Sequence, residues 1–300
     1  MDEATREVRS RVEDRIRAWR VVVERGLETE SSFVAFGRRD GQPVTLKVVK
    51  NHGDEWRSGE IVEAFEGKGV VRVYEYAEGA MLLERVTPGH SLASMALDGR
   101  DDQATRILAD VIKKMSPRTP AKPVLTVQEW AKAFERHGAS ENCQIPRDLL
   151  AEADRVYSEL CSSQSQPRLL HGDLHHYNVL FDSKRGWLAI DPKGIVGELE
   201  YEVGAVLRNP LERPELFARA STVKKRVERF AFELNLNLDR TLAWGFAQAV
   251  LSAIWAVEDG FAVEPGNPWI VLAGAIRPML GALVERNKHH PPRHEDSKKR

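Results

Sequence analysis

The sequence predicts an α+β fold of two unequal lobes, a small lobe with an antiparallel β-sheet followed by a larger, mostly helical lobe. Three observations lead to this prediction. Short apolar segments separated by turn residues occupy much of residues 1–86, as expected of a small sheet. Segments with apolar residues at helical spacing fill most of residues 87–286. Between these helices, residues 171–191 have the pattern of a hairpin with polar side chains at the strand ends.

Composition limits the classes of function. The chain has 300 residues and a mass of 33.8 kDa, which suits one two-lobed unit, and its 42% apolar residues are enough to bury a core. A net charge of −1 argues against broad nucleic-acid binding. No apolar run approaches the roughly twenty residues of a membrane span, so we expect no membrane partner. Two cysteines, Cys143 and Cys161, without a secretory segment predict a cytoplasmic protein. The oligomeric state is left open.

The first twenty residues are heavily charged, but Val8, Val12 and Ile16 recur at every fourth position. This period predicts an amphipathic helix that docks on the small lobe. A helix that binds a partner protein is the alternative. Residues 287–300 are charged and contain prolines, which predicts a disordered tail.

Three strands are predicted after this helix, at 19–23, 32–36 and 43–49. Residues 24–31 lie between the first two strands, where a loop could cover nucleotide phosphates. Because this segment contains a single glycine, a plain hairpin turn is the alternative.

The third strand carries Lys47 among apolar residues. A lysine in such a strand is costly unless it has a partner. In kinases, a lysine at this place holds the α- and β-phosphates and pairs with a helical glutamate. The helix predicted after Gly53 offers Glu55, Glu60 and Glu63; we favour Glu55, and Glu60 stays open. An exposed lysine on an edge strand is the alternative.

Strands predicted at 70–74 and 80–83 form a hairpin that continues into a Pro-Gly connector at 84–89. A strand that leads into such a connector is typical of the link between two lobes. The backbone groups of Glu84 and Val86 are candidates for binding the edge of an adenine. An ordinary exit from a strand into a loop is the alternative.

The large lobe is predicted to contain six long helices, each marked by apolar residues at helical spacing. They lie at 101–116, 126–137, 147–161, 214–234, 238–257 and 268–287. A proline-rich connector at 116–124 separates the first two.

Residues 171–182 have the sequence HGDLHHYNVLFD. Asp173 precedes Asn178 by five residues, and a turn after the apolar strand at 179–181 returns the chain to Asp191. This arrangement suits phosphoryl transfer, in which one carboxylate takes the proton of an acceptor hydroxyl while an amide and a second carboxylate hold Mg²⁺ on a nucleotide. Asp173 is therefore the predicted base, and Asn178 and Asp191 are the predicted magnesium ligands. Turn and cap roles are the alternative.

An acceptor must approach Asp173 from the side opposite the nucleotide. His175, Lys193 and Glu258 are the candidates for contact with it, and acidic side chains there suit a cationic sugar. For Lys193 a surface turn is the alternative, and for Glu258 a helix cap. His171 is predicted to brace the loop by hydrogen bonds rather than to carry a proton.

The sequence resembles the aminoglycoside and hydroxyurea resistance kinases, the group that includes streptomycin 6-kinases, in the segments LKVVK, MLLERVTPG, HGDLHHYNVLFDSKRGWLAIDPKG and AQAVLSAIWAVEDG. The likeness covers residues 19–285. It implies a protein-kinase-like fold and transfer of the γ-phosphate of ATP to a hydroxyl of a small molecule such as streptomycin or hydroxyurea. Matched residue by residue, it implies that Asp173 is the base, Asn178 and Asp191 hold Mg²⁺, and Lys47 binds phosphate.

Two alternatives stay open. A metabolic kinase for a sugar or an amino alcohol would use the same residues. A nucleotide-binding pseudokinase scaffold would lack turnover, and the complete set of Lys, Asp, Asn and Asp argues against it. Tyr177 stands where relatives often carry Gly or Glu, and Glu200 and Glu202 lie where an Asp is common. These departures bear on the acceptor rather than on the chemistry.

Overall fold

The computed structural model describes residues 3–120, 122–140 and 143–289 and has a small lobe built on one antiparallel sheet. The elements of this lobe are α1 (Glu3–Ala18), β1 (Val22–Glu28), β2 (Ser32–Arg39), β3 (Gln42–Val49), a 3-10 helix (Asp54–Arg57), α2 (Ser58–Ala64), β4 (Val73–Ala77) and β5 (Ala80–Glu84). The strand order is β1-β2-β3-β5-β4. The strand of Lys47, β3, therefore lies at the centre of the sheet, and the edge-strand alternative for this lysine is wrong.

Helix α1 packs on the small lobe, as its apolar period predicts. Val12 is buried with residues of the central strands, and Val8 and Ile16 pack against the same cluster. Arg11 fastens the helix further, because its guanidinium donates hydrogen bonds to the carbonyl oxygens of Val49 at 2.9 Å and Lys50 at 2.7 Å. The docked face is thus the apolar stripe seen in the sequence.

Two predictions for the small lobe need correction. The first strand begins at Val22 rather than at residue 19 and runs to Glu28, so the predicted phosphate loop at 24–31 shortens to the turn after Glu28. Polar residues extend this strand because β1 is an exposed edge strand and has no buried face to impose an apolar alternation. The strand predicted at 70–74 begins only at Val73, because Val71 bonds instead to the large lobe, where its N–H donates to Ala189.

The large lobe is mostly helical. Its elements are β6 (Pro88–Ser91), α3 (Ala93–Leu97), α4 (Asp101–Lys114), α5 (Val127–Gly138), α6 (Arg147–Ser162), β7 (Arg168–Leu170), β8 (Val179–Asp182), β9 (Gly186–Ala189), β10 (Ile195–Gly197), α7 (Leu199–Leu207), α8 (Pro214–Phe217), α9 (Ala220–Leu234), α10 (Leu238–Glu258) and α11 (Pro268–His289). In the described chain, β6, β8 and β9 form one small sheet, and β7 pairs with β10. The predicted α+β, protein-kinase-like architecture of a sheet lobe and a helical lobe is confirmed.

Five of the six predicted long helices are present close to their predicted bounds. Helix α5 begins with a capping box, in which Thr126 accepts from the N–H of Glu129 and the Glu129 carboxylate accepts from the N–H of Thr126. The helix predicted at 214–234 is instead divided into α8 and α9. The predicted tail at 287–300 starts inside α11, and its residues 290–300 lie outside the described residues.

Helix α10 has the length and apolar composition of a membrane span, contrary to the expectation from the sequence that no run approaches that length. Within its most apolar window, however, 78% of the residues are buried inside the protein. Trp244 and Phe246 on this helix are fully buried, and α10 packs against α6, α7 and α11. Its apolar composition is therefore explained by its place at the centre of the large lobe.

Candidate active site

The β8–β9 hairpin brings the two predicted metal ligands together. Val179 is paired with Ala189 in the antiparallel ladder, and the pairing continues one step further, where the N–H of Ile190 donates to the carbonyl of Asn178 at 2.9 Å. Asn178 at the start of one strand is therefore next to Asp191 at the end of the other. Asp191 has a φ of 61°, a left-handed conformation that turns the chain out of the strand.

His171 braces the loop at residues 171–178, as predicted. This loop carries Asp173 and Asn178 and is called the catalytic loop below. Its Nδ1 accepts from the N–H of Asp173 at 3.3 Å, and its Nε2 lies 2.9 Å from the carbonyl oxygen of Ile190. Both contacts are satisfied by a neutral ring with the proton on Nε2. Burial lowers the pKa of His171 to about 4, which agrees with a neutral bracing residue rather than a proton carrier.

Glu202 on α7 holds the same loop from behind. Its carboxylate accepts hydrogen bonds from the N–H groups of His171 at 2.7 Å and Gly172 at 3.0 Å. Gly172 has a φ of +81°, so the loop turns here in a conformation that favours glycine. Burial raises the pKa of Glu202 to about 7, although the two backbone donors oppose this shift. This role of Glu202 was not predicted from the sequence, in which the available signal is a glutamate inside the apolar helix pattern of α7.

Asp173 is placed beside groups that favour its ionised form. Its Oδ2 lies 3.6 Å from His175 Nε2, and its Oδ1 lies 3.8 Å from Nη2 of Arg208 at the end of α7. Burial acts to raise the pKa of Asp173, but the His175 ring and the Arg208 guanidinium outweigh it and hold this pKa below its usual range. Asn178 orients the loop, since its Nδ2 donates to the backbone carbonyl of Asp173 at 2.9 Å.

Lys47 connects the small lobe to the predicted metal ligand. Its amine lies 3.0 Å from Glu55 Oε2 and 2.5 Å from Asp191 Oδ1. The pairing with Glu55 resolves the alternatives left by the sequence, because Glu60 is bound to Arg57 and Glu63 accepts from a tyrosine hydroxyl. Glu55 lies in the 3-10 helix directly before α2, and α2 is called the inner helix below.

The oxygen atoms available at this point fit a hard divalent cation. Asn178 uses its amide nitrogen internally, and no donor among the described residues bonds to its Oδ1. Among the described residues, the donor that bonds to the Asp191 carboxylate is the amine of Lys47. An amide oxygen and one carboxylate, completed by water and nucleotide phosphates, form the kind of ligand set that Mg²⁺ accepts.

In the connector between the lobes, the two predicted adenine contacts differ in which backbone groups are available. The N–H of Glu84 is occupied by the carbonyl of Arg72, and the Glu84 carboxylate binds Arg185. Within the described part of the chain, no acceptor bonds to the N–H of Val86. Of the two predicted adenine contacts, Glu84 could therefore offer only its carbonyl, and Val86 could offer its amide.

A cavity of about 860 Å³ opens next to Asp173 on the side expected for the acceptor. The three predicted acceptor contacts, His175, Lys193 and Glu258, all line it. Its wall includes two tryptophans, Trp130 and Trp255, in edge-to-face contact at a centroid distance of 5.1 Å. The structure thus brings together residues from α5, the catalytic loop and α10.

Two of the three predicted acceptor contacts, Lys193 and Glu258, are already paired with charged side chains of the protein. The amine of Lys193 lies 2.5 Å from Oε1 of Glu55, and the carboxylate of Glu258 is paired with Arg136 at 2.9 Å. Trp130, Arg136 and Arg208 also line the cavity and were not predicted from the sequence. They are distant from residues 171–191 in the sequence, and no local pattern marks them.

The paired lysine, the connector and the clustered Asp, Asn and Asp side chains define a phosphotransferase of protein-kinase-like fold. The chain belongs to the aminoglycoside/hydroxyurea antibiotic resistance kinase family, whose model matches residues 19–260. It is a phosphotransferase that acts on small-molecule hydroxyl groups and uses a nucleotide.

Named relatives agree with this family. The chain is 35% identical over 239 residues to a streptomycin 3''-kinase of Klebsiella pneumoniae, covering 78% of this chain and 87% of the relative. It is 30% identical over 238 residues to a hydroxyurea phosphotransferase of Kitasatospora aureofaciens, covering 76% of this chain and 66% of the relative.

Solved structures show the same fold at low sequence identity. A choline kinase from Streptococcus pneumoniae superposes with a TM-score of 0.61 at 15% identity, covering 92% of this chain and 99% of that one. The aminoglycoside phosphotransferase APH(4)-Ia, in a ternary complex with ADP and hygromycin B, gives a TM-score of 0.59 at 14% identity, covering 88% and 97%.

Proposed function

We propose that this protein transfers the γ-phosphate of ATP, bound with Mg²⁺, to a hydroxyl group of an aminoglycoside such as streptomycin, with hydroxyurea as a second acceptor. The observation that supports the proposal is that Lys47 pairs with Asp191 and Asn178 bonds to the backbone of Asp173, while Asp173 lines a cavity of about 860 Å³. Relatives that are 35% and 30% identical to this chain over the matched regions are named for streptomycin and hydroxyurea, respectively.

Asp173 acts on the acceptor hydroxyl. Its carboxylate oxygens lie 3.6 Å from His175 Nε2 and 3.8 Å from Arg208 Nη2, too far for a good hydrogen bond. An acceptor hydroxyl can therefore donate to Asp173, which fixes the attacking oxygen and takes its proton. Little proton transfer is needed early, because the transition state of phosphoryl transfer is loose.

Lys47, held by Glu55, neutralises the α- and β-phosphates. Asn178 and Asp191 would hold Mg²⁺, which supplies neutralisation of the charge on the β- and γ-phosphate oxygens when bound. The connector contributes adenine contacts through the carbonyl of Glu84 and the N–H of Val86.

The acceptor cavity suits a cationic sugar. Trp130 and Trp255 offer aromatic faces against which a guanidinium or a sugar ring can pack. Glu258 and Asp259 provide carboxylates at the same wall, and His175 lies next to the base. We place the enzyme in the cytoplasm, where ATP and an imported antibiotic meet.

The test is an assay of ADP release with ATP, Mg²⁺ and a panel of acceptors: streptomycin, hydroxyurea, a hexose, choline and ethanolamine. Streptomycin-dependent ADP release, with a phosphorylated product by mass spectrometry, supports the proposal. Release with choline or the hexose alone would instead assign a metabolic kinase. Nucleotide binding without ADP release for any acceptor would assign a pseudokinase scaffold.

A further inference from the structure

Glu55 is shared by two lysines that come from opposite lobes. Lys47 on β3 of the small lobe contacts its Oε2 at 3.0 Å, and Lys193 of the large lobe contacts its Oε1 at 2.5 Å. The Glu55 side chain is 16% exposed, so both contacts are poorly screened by water. Burial acts to raise the pKa of Glu55, but the two ammonium groups outweigh it and lower this pKa, which keeps Glu55 ionised.

The segment that carries Lys193 is fitted closely against the inner helix. Gly194 has a φ of +74°, and a Cβ at this position would lie 2.6 Å from the side chain of Ile61 on α2. Its N–H donates to the carbonyl of His171 at 3.1 Å, which ties the same segment to the catalytic loop. Residues 191–194 therefore touch the inner helix and the catalytic loop together.

Nucleotide binding must alter the other link between the lobes, which is the ion pair of Lys47 with Asp191. Lys47 lies 2.5 Å from Asp191 in this structure. Under the proposed function, Lys47 turns to the nucleotide phosphates while Asp191 turns to the metal, so this ion pair is lost. The Lys193–Glu55 pair requires no such change, because neither of its groups is needed by the nucleotide or the metal.

We infer that Lys193 is a positioning residue: its ion pair with Glu55 holds the lobes in register and keeps Glu55 in place to orient Lys47 when the nucleotide is bound. This inference rests on the proposed function for its kinetic consequence only. It differs from a direct role, in which the Lys193 amine would contact the transferred phosphoryl group itself.

The experiment is a double-mutant cycle of Lys193→Met and Glu55→Gln, with Lys193→Arg as the conservative variant. Lys184→Met is the matched control, since Lys184 is exposed in the β8–β9 turn. A positioning role predicts that Lys193→Met lowers kcat/KM for ATP by about tenfold and raises the KM for ATP, while Lys193→Arg loses less than about threefold. In the Glu55→Gln background, Lys193→Met should add less than about twofold, because the partner is already gone.

Equal losses from Lys193→Met in the two backgrounds would overturn the inference and assign a direct contact to the phosphoryl group. A second readout does not need turnover: hydrogen exchange of the backbone at 54–61 in the nucleotide-free protein. Exchange there should accelerate in Lys193→Met and not in Lys184→Met; unchanged exchange in Lys193→Met would also overturn the inference. If the wild-type protein phosphorylates no acceptor, the proposed function fails, while the exchange result still decides whether Lys193 links the lobes.

Discussion

At the scale of single residues, Asp173, the predicted base, is distinguished by two side-chain neighbours that lie just beyond hydrogen-bond distance. The Arg208 guanidinium stabilises the charge of Asp173 from 3.8 Å, and His175 Nε2 lies 3.6 Å from the other carboxylate oxygen; both distances are too long for a good hydrogen bond. The carboxylate thus stays ionised with its lone pairs available. His171, Asn178 and Glu202 act instead on the backbone around it, so charge and orientation are supplied by different residues.

We expect Asp173→Asn to lower kcat by about 10²- to 10⁴-fold, because the amide cannot accept the proton of the acceptor hydroxyl. The affinity for the nucleotide should change by less than about threefold, since Asp173 is not a predicted metal ligand. Single-turnover kinetics and titration calorimetry measure the two quantities. Asp98→Asn, at an exposed position remote from the cavity, is the control; a rate within a few fold of wild type would disprove the assignment of the base.

The buried neutral ring of His171 predicts a pH dependence of stability. Its pKa is about 4 in the folded protein against an ordinary value of 6.5, so below pH 6.5 the unfolded chain binds a proton that the folded protein does not. The contribution of His171 to the free energy of unfolding therefore has its full value above about pH 6.5. It decreases by on the order of 3 kcal/mol as the pH falls toward 4.

Urea unfolding of wild type and His171→Asn at several pH values measures this contribution and cancels the other histidines. The stability difference between the two proteins should be largest at pH 7 and shrink steadily toward pH 4. A difference that does not depend on pH would show that the ring is not held neutral.

At the scale of elements, the site depends on where strands and helices end. The β8–β9 hairpin sets Asn178 beside Asp191 through its register, and the linker before β4 bonds to Ala189 of the same hairpin. Helix α7 contributes Glu202 in its first turn and is followed by Arg208, so one helix supports both the loop and the base. This helix is itself fixed by close packing against α10.

Gly204 of α7 is the position where that packing is closest. A Cβ there would lie 2.3 Å from the amide of Gln248 on α10, and this side chain is buried and bound to the carbonyl of Tyr201. We expect Gly204→Ala to lower the free energy of unfolding by about 1–3 kcal/mol through overpacking.

Gly274→Ala in α11 is the matched control, because a Cβ there meets nothing within 4 Å. Its free energy of unfolding should stay unchanged or rise by up to about 1 kcal/mol, as for a glycine replaced in a helix. Denaturant unfolding of both variants decides the point, and equal effects would show that the α7–α10 contact is not close in solution.

At the scale of the whole molecule, the buried apolar residues form two hydrophobic clusters. One joins α1 to the sheet, while the other contains α2, the interior of the large lobe and Met81 and Leu83 of β5. The inner helix therefore packs with the large lobe although it lies in the small lobe by sequence. The division of the chain into two lobes between residues 86 and 87 stays a prediction. Because the inner helix packs with the large lobe, a ligand placed between the lobes should stabilise the entire protein.

We expect ADP with Mg²⁺ to raise the free energy of unfolding by about 2.7 kcal/mol at a concentration of 100 times its Kd. In Asp191→Asn, the gain from adding Mg²⁺ should disappear, because one of the two predicted metal ligands is lost. Without Mg²⁺ the variant should bind ADP no more weakly than wild type, since Lys47 is freed from its pair with Asp191. Thermal shifts with and without EDTA measure both effects, and a Mg²⁺-dependent gain equal to that of wild type would exclude Asp191 as a ligand.

The sequence by itself determined the class of fold and the hairpin at residues 171–191, and it predicted Lys47, Asp173, Asn178 and Asp191 as the central residues of the site. The class of fold and the hairpin were confirmed because they depend on local patterns of short spacings and strand ends, while the roles of the four residues stay predictions. The bounds of β1 and the division between α8 and α9 were missed, since an exposed edge strand and a break between two helices leave weak local patterns.

Only the tertiary structure decided which glutamate pairs with Lys47, that Lys193 meets the same carboxylate, and that Glu202 and Arg208 hold the catalytic loop and its base. Each of these contacts joins residues that are far apart in the chain. Their existence depends on how complete elements pack, and the spacing of residues along a sequence carries no information about the distance between such groups.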